Sequence, residues 1–149
     1  MPVEIGHLTY NEIPIAAALW REAGLVRPWN DPDSDARRAL TAVAATIFAA
    51  RDGGQVVGTA MTGHDGHRGW VYYLAVAIDH RGNGVARALM TATEAWCEAA
   101  GMPRLNLMVR AGNAPVLGFY AALGYRKSEV IVLQKDLVTD NSAILSSRA

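Results

Sequence analysis

The sequence is short of several things, and each shortage removes a class of function. It has one cysteine, Cys97, in 149 residues. That excludes a disulfide framework and a cysteine-rich zinc site, and it suits a reducing cytoplasm. Charge of either sign is not in excess: 14 Lys and Arg stand against 14 Asp and Glu. No global field favours nucleic acid or an anionic membrane, and neither is expected as a partner. The start, M-P-V-E-I-G-H-L-T-Y, has neither the basic beginning nor the apolar core of a signal peptide. No apolar run approaches the roughly 18 residues of a membrane span. The longest ones, at residues 42–50 and 70–78, read as core segments. No internal repeat and no interdomain linker is visible. One domain over residues 1–138 is expected, with a patternless tail, T-D-N-S-A-I-L-S-S-R-A, after it.

What is present alternates between strand and helix signals. Residues 3–7 suggest a short first strand. Thr9 is placed to cap a helix running to about Ala23, with Ile13, Ala16, Ala17 and Trp20 on one side. Next comes R-P-W-N-D-P at residues 27–32, in which two prolines enclose Trp29, Asn30 and Asp31. A second helix is expected over about residues 35–45, capped by Asp33 or Ser34. T-I-F-A-A-R, D-G-G and Q-V-V-G-T-A-M read as strand, hairpin turn and strand. After the turn H-D-G-H-R-G, W-V-Y-Y-L-A-V-A-I reads as a central strand buried on both faces, with Trp70, Tyr72 and Leu74 on one side. A long alanine-rich helix follows, then the strand R-L-N-L-M-V-R. A helix from Asn113 to Gly124 is next, and V-I-V-L-Q-K is expected as the last strand. The order implies an α/β sheet of mixed direction with helices on both faces.

The chemistry concentrates in A-I-D-H-R-G-N-G-V-A-R-A-L-M, which follows a core strand and opens a helix. Gly82 and Gly84 allow a sharp turn and close approach of backbone to a ligand. Free N–H groups at a helix start attract an anion, and Arg81 and Arg87 add charge that can grip phosphate. A P-loop is excluded because no Gly-Lys-Ser/Thr is present. The dinucleotide pattern fails as well, since Arg87 stands where the third glycine belongs. A phosphate cradle and a ligand-free glycine turn both remain compatible with these residues. His64, His67 and His80 read as turn polarity rather than metal ligands, and no metal is expected. Cys97, without an activating base, reads as a buried thiol.

Residues 81–86, R-G-N-G-V-A, match the R/Q-x-x-G-x-G/A signature of the Gcn5-related N-acetyltransferases, the GNAT family. The preceding L-A-V-A-I-D-H resembles that family's strand end, with Ile78 where proline is common. N-A-P-V-L-G-F-Y-A-A-L-G-Y resembles its second motif, in the right order and at the right separation. The resemblance spans about residues 3–137. R-P-W-N-D-P and H-D-G-H-R-G are also similar to segments of the small bacterial YpeA-type branch.

The resemblance implies a GNAT-like, mostly antiparallel mixed sheet with a splay between its fourth and fifth strands. It implies acetyl-CoA as co-substrate. Leu74, Ala75 and Val76 would hold the pantetheine arm, and Arg81, Gly82, Asn83, Gly84, Val85, Ala86 and Arg87 the pyrophosphate. Asn113 and Tyr120 would also contact the co-substrate. Tyr120 takes the general-acid position, although G-F-Y-A-A-L also reads as an amphipathic helix with aromatic core positions, and with both motifs present the functional reading is favoured. The reaction implied is direct attack by a primary amine on the thioester; the alternative is a non-catalytic acyl-CoA-binding or regulatory module. A strand glutamate, used by many relatives as base, is missing. That leaves Asp65, His64, His67, Asp31 and Asp33, or no dedicated group. Residues 24–34 correspond to the link beside the acceptor, which makes Trp29, Asn30 and Asp31, with Tyr72 on the strand, the substrate-side candidates. Only nine residues separate Tyr125 from Lys135. The acceptor pocket is therefore expected to be open, or completed by a second subunit in a homodimer.

Overall fold

The structure, a computed structural model, describes residues 2–138; the expected tail lies outside them. Five strands form one sheet in chain order: β1 Glu4–His7, β2 Ala45–Asp52, β3 Gln55–His64, β4 Gly69–Val76 and β5 Leu105–Leu107. The first three pairings are antiparallel and β4–β5 is parallel. Among the described residues four helices cover it: α1 Ile13–Glu22, α2 Pro32–Thr41, α3 Val85–Ala99 and α4 Ala114–Ala122. Single turns of 3-10 helix precede α1 at Tyr10–Glu12 and follow β4 at Ile78–His80.

β2 shows how the two layers arise. Ile47 and Ala49 belong to the core under α1 and α2, while Phe48 and Ala50 belong to the core under α3 and α4. A period of two along a strand sends alternate side chains to opposite faces, so a strand covered on both sides is apolar throughout. Gly69, read from sequence as part of a turn, is the first residue of β4 and lies against α3. A Cβ there would stand 2.5 Å from Cys97 Sγ. Cys97 itself is buried, and burial raises its thiol pKa.

Three expected features are corrected. The second helix starts earlier, because Pro32 suits a first turn and Asp31 is the N-cap. Asp31 accepts from Asp33 N–H at 3.3 Å and Ser34 Oγ at 2.7 Å. The expected strand R-L-N-L-M-V-R shrinks to Leu105–Leu107. V-I-V-L-Q-K is not a strand at all: residues 126–138 are exposed throughout, and no strand pairing of the sheet includes them. Strand propensity needs a neighbouring strand to pair with.

A bidentate ion pair ties the start of α1 to the sheet. Arg51 donates to Glu12 from Nη2 at 2.6 Å and from Nε at 3.0 Å, and Thr9 N–H adds a third bond at 2.9 Å. The bond from Arg51 is the main reason that the Glu12 carboxyl titrates at about 2 rather than 4.5, with desolvation opposing it. A lowered folded-state pKa stabilises above the unfolded value and is lost as pH falls through the folded one. Glu12→Gln should therefore be less stable than wild type at about pH 7, and the gap should close between about pH 4.5 and about pH 2, as read by urea unfolding.

Candidate active site

β4 decides the geometry of the site. It pairs with β5 only at Gly69–Leu105, Trp70–Asn106 and Val71–Leu107; beyond that the two strands part. On its other side the register with β3 slips: Met61 faces Tyr72, yet Thr59 faces Ala75. Two residues, Tyr73 and Leu74, thus oppose the single Ala60. This is a β-bulge, and Tyr73 sits in it at φ +51°. A bulky residue in the left-handed region is strained and persists only where its surroundings hold it. They do. Trp20 stacks on the Tyr73 ring at 4.0 Å, and Thr59 Oγ1 donates to Tyr73 O at 2.9 Å. Tyr73 Oη donates to Asp35 Oδ2 at 2.6 Å.

The bulge reverses the alternation. Val71 packs under α3, but Ala75, four residues on, packs under α1. Leu74 accordingly joins the α3 side, opposite Trp70 and Tyr72, which corrects the expectation that the three share a face. The backbone turns with it. Gly69 N–H points to β5, bonding Arg104 O at 2.8 Å, while Ala77 N–H points to β3, bonding Val57 O at 2.8 Å. Alternation back from Ala77 directs the peptide groups of Val76 and Leu74 into the gap where β5 is absent. Val76 O confirms the direction, since it accepts from Arg81 Nε at 3.0 Å.

The far end of the gap is the start of α3. Gly82 and Gly84 both have φ +80°, and a Cβ on either would meet nothing within 4 Å. Conformation rather than crowding therefore calls for glycine. Gly84 is the N-cap and supplies no side-chain oxygen, so the first N–H groups of α3 stay open to an anion. Arg81, Asn83 and Arg87 are exposed around it, while Val85 is buried and Ala86 half-buried. Val85 can offer a ligand its backbone but not its side chain, while the peptide groups of Ala75 face β3.

Across the gap stands α4. Asn113 is its N-cap by position, but its side chain makes no capping bond and is exposed. The Tyr120 ring is 9% exposed, edge-on to Phe119 and Tyr125. Its hydroxyl bonds to no described residue, yet the only sealed side-chain N or O atom without a partner among the described residues is His80 Nδ1. The phenol oxygen therefore opens to solvent. Burial raises the Tyr120 pKa and keeps it protonated at neutral pH.

On the α1–α2 side, Trp29 is 46% exposed and the Arg110 guanidinium lies 6.0 Å from its ring centroid, bridging the α1–α2 link and the loop after β5. Tyr72 is exposed beside Trp70, and both line an open depression of about 280 Å³ floored by Ala45 and Gly63. Asn30 is half-buried, with its N–H on Arg27 O. The carboxylates named as bases are mostly engaged. Asp65 accepts from Arg68 N–H, His67 N–H and Trp70 Nε1, and these bonds lower its pKa. Asp31 caps α2. His64 accepts from Gly66 N–H at 3.1 Å. No three His, Cys, Asp or Glu among the described residues are grouped to hold a metal ion; His80 Nε2 instead meets Asp52 at 2.9 Å. Sequence reasoning missed the support that Trp20, Thr59 and Asp35 give the bulge, because nothing in their local pattern signals it.

The sequence profile of the acetyltransferase (GNAT) family matches residues 14–125. The chain belongs to the GNAT family. A Yersinia pestis protein named acetyltransferase is 44% identical over 122 residues, covering 82% of this chain and 86% of its own. An acetyltransferase of Pectobacterium atrosepticum is 40% identical over 138 residues, covering 93% and 98%. Among solved structures, the aminoglycoside acetyltransferase AAC(6')-Iy, in complex with a bisubstrate analogue, superposes with TM-score 0.78 at 17% identity, covering 93% of this chain and all of that one. A Bacillus halodurans transcriptional regulator superposes with TM-score 0.79 at 15% identity, covering 91% of this GNAT chain and all of that one. At such identities the likeness is one of fold.

Proposed function

We propose that the protein transfers the acetyl group of acetyl-CoA to a primary amine by direct attack in a ternary complex. One observation carries the reading: the gap beside β4 is lined by peptide groups of Leu74 and Val76 that no neighbouring strand pairs, and it ends on the bare start of α3. A pantetheine arm can add to β4 as a strand would, with its pyrophosphate at residues 81–87. The arm then points its thioester back toward Tyr72, and the amine arrives from the side of Trp29 and Tyr72. The neutral nitrogen attacks the carbonyl carbon, and an N–H of Leu74 or Val76 stabilises the oxyanion. The carbon–sulfur bond breaks, and Tyr120 returns a proton to the CoA thiolate. The acceptor's own proton leaves to solvent, since neither β4 nor β5 carries a carboxylate.

Asp31 acts here by fixing α2 rather than by touching substrate. A free buried thiol fits a cytoplasmic setting. The regulator that shares the fold supports a second reading, a module that binds acyl-CoA without turnover. Thiol release from acetyl-CoA across an amine panel separates the two. Release with at least one amine establishes transfer; acetyl-CoA binding by calorimetry with no release above buffer leaves only the module. In the same titration Gly84→Val should weaken acetyl-CoA binding by about tenfold, because a side chain in the left-handed region costs about 1–2 kcal/mol and would pull the loop off φ +80°.

A further inference from the structure

One stretch of the sheet is bare where its neighbours are covered. Ile47, Met61, Tyr73 and Ala75 lie in the core under α1 and α2 or pack against it. Met61 pairs with Ile47 on one side and with Tyr72 on the other, so Tyr72 shares their face. Trp70, two residues earlier on β4, shares it too. Yet neither ring belongs to either core, and Tyr72 is 44% exposed. α2 ends at Thr41, and Ala42 and Ala44 behind it rim the depression of about 280 Å³ that the two rings line. An indole and a phenol left together in a concavity mark a binding site, because the fold gains nothing from exposing them.

The depression is built as a slot. Ala45, Gly63 and Trp70 are paired in one row across β2, β3 and β4. One large ring therefore stands beside two residues that offer at most a methyl group. The middle of the row is held bare, since a Cβ on Gly63 would stand 3.1 Å from Ala44 O and 3.3 Å from Ala45 Cβ. The planes of Trp70 and Tyr72 are 15° from parallel, with ring centroids 6.3 Å apart. A cage for an ammonium surrounds it with rings. Two near-parallel faces instead suit a flat group laid against them. Asp65 supplies a polar corner. It accepts Trp70 Nε1–H at 3.2 Å, which fixes the indole, and takes His67 N–H and Arg68 N–H at 2.9 and 2.8 Å. Burial raises the Tyr72 pKa and the Asp65 charge raises it further, so carboxylate and phenol share the site.

Tyr72 directly precedes the bulge, which makes the slot continuous with the reacting end of the gap. We propose that the slot holds the body of the acceptor, and that the acceptor is a primary amine carrying a planar aromatic ring on a short chain. The inference rests on the transfer reading above. The ring lies against Trp70 and Tyr72 over Gly63 and Ala45, and the nitrogen reaches past Tyr72 toward the thioester. The chain is short because Tyr72 stands at both the slot and the bulge.

The thiol-release assay tests this with phenethylamine, cyclohexylethylamine, butylamine and cadaverine. The second has the skeleton of the first without its flat ring. kcat/KM for phenethylamine should exceed that for butylamine by about tenfold. It should exceed that for cyclohexylethylamine by about threefold, the share that stacking adds beyond apolar area. Trp70→Ala should remove both advantages, and Trp70→Phe should restore the second. Ala45→Leu fills the slot from a half-buried position and should also remove both, so the result does not hang on whether Trp70→Ala folds. Equal kcat/KM for phenethylamine and butylamine, or a preference for cadaverine, overturns the proposal and leaves acetyl transfer standing. So does an aromatic preference that survives Trp70→Ala and Ala45→Leu. Saturation-transfer NMR with phenethylamine covers the case in which no amine releases thiol. Ring-proton saturation that Ala45→Leu abolishes then keeps the slot as an aryl-amine site and sinks the transfer reading alone. No saturation, or saturation that Ala45→Leu leaves intact, sinks the slot.

Discussion

Tyr120→Phe is expected to lower kcat for acetyl transfer by roughly 10²-fold or more, the usual contribution of a positioned general acid, with little change in acetyl-CoA KM or Tm. The structure separates the two roles of this residue. The ring does the packing, against Phe119 at 5.1 Å and Tyr125 at 5.6 Å, and phenylalanine keeps that. The hydroxyl bonds to no described residue, so its removal strands no partner among them. Burial raises its pKa, so the proton is in place at neutral pH. Tyr125 is not an equivalent donor, because its hydroxyl is already given to Glu94 Oε2 at 2.5 Å. Steady-state kinetics with an active amine, run beside a thermal melt, check the prediction. An unchanged kcat would return Tyr120 to the core and assign the proton to water. A fall in Tm matching the fall in kcat would mean that the phenylalanine disturbs packing.

Trp20→Ala should cost about 3–5 kcal/mol, the range for truncating a buried aromatic, and lower Tm by about 10 °C or more. Trp20 is wholly buried between α1 and the sheet. It also holds the bulge from two directions. Its ring stacks on Tyr73, and its Nε1–H donates to Thr59 Oγ1 at 2.8 Å, the hydroxyl that bonds Tyr73 O. Losing the indole frees Tyr73 to leave φ +51°, and with it the direction in which Leu74 and Val76 present their peptide groups. The variant, studied below its Tm, should therefore also bind acetyl-CoA more weakly. A loss under about 1 kcal/mol would show that the bulge is held without Trp20. Full stability loss with unchanged acetyl-CoA affinity would show that the bulge is held by Thr59 and Asp35 alone.

Much of the site was readable along the chain. The glycine pair and its arginines flag the start of α3, because a helix that opens without a side-chain cap on a left-handed residue needs glycine there. The apolar strands announce a sheet covered on both faces. Asn113 and Gly124 bracket α4, and so place Tyr120 on a helix beside the gap. The carboxylates resisted reading. Asp31, Asp33, Ser34 and Asp35 are all plausible caps by type; Asp31 holds the position because Pro32 cannot offer an N–H and fits the first turn. Asp31 thereby serves α2 and Asp35 serves Tyr73, partnerships that the residue types alone do not signal.

By itself the sequence determined what depends on near neighbours: the alternation and periodicity of each element, the turns, the caps, and the family motifs at residues 81–86 and 113–125. Only the tertiary structure decided what depends on a pair of distant segments. The bulge at Tyr73 exists because β4 has one residue more than β3 across the same span, a mismatch visible only once register is set. The opening between β4 and β5 exists because their pairing ends at Val71 and Leu107. Residues 130–135 have the composition of a strand without being one, because a strand is completed by hydrogen bonds to another strand, and no other described part of the chain supplies them.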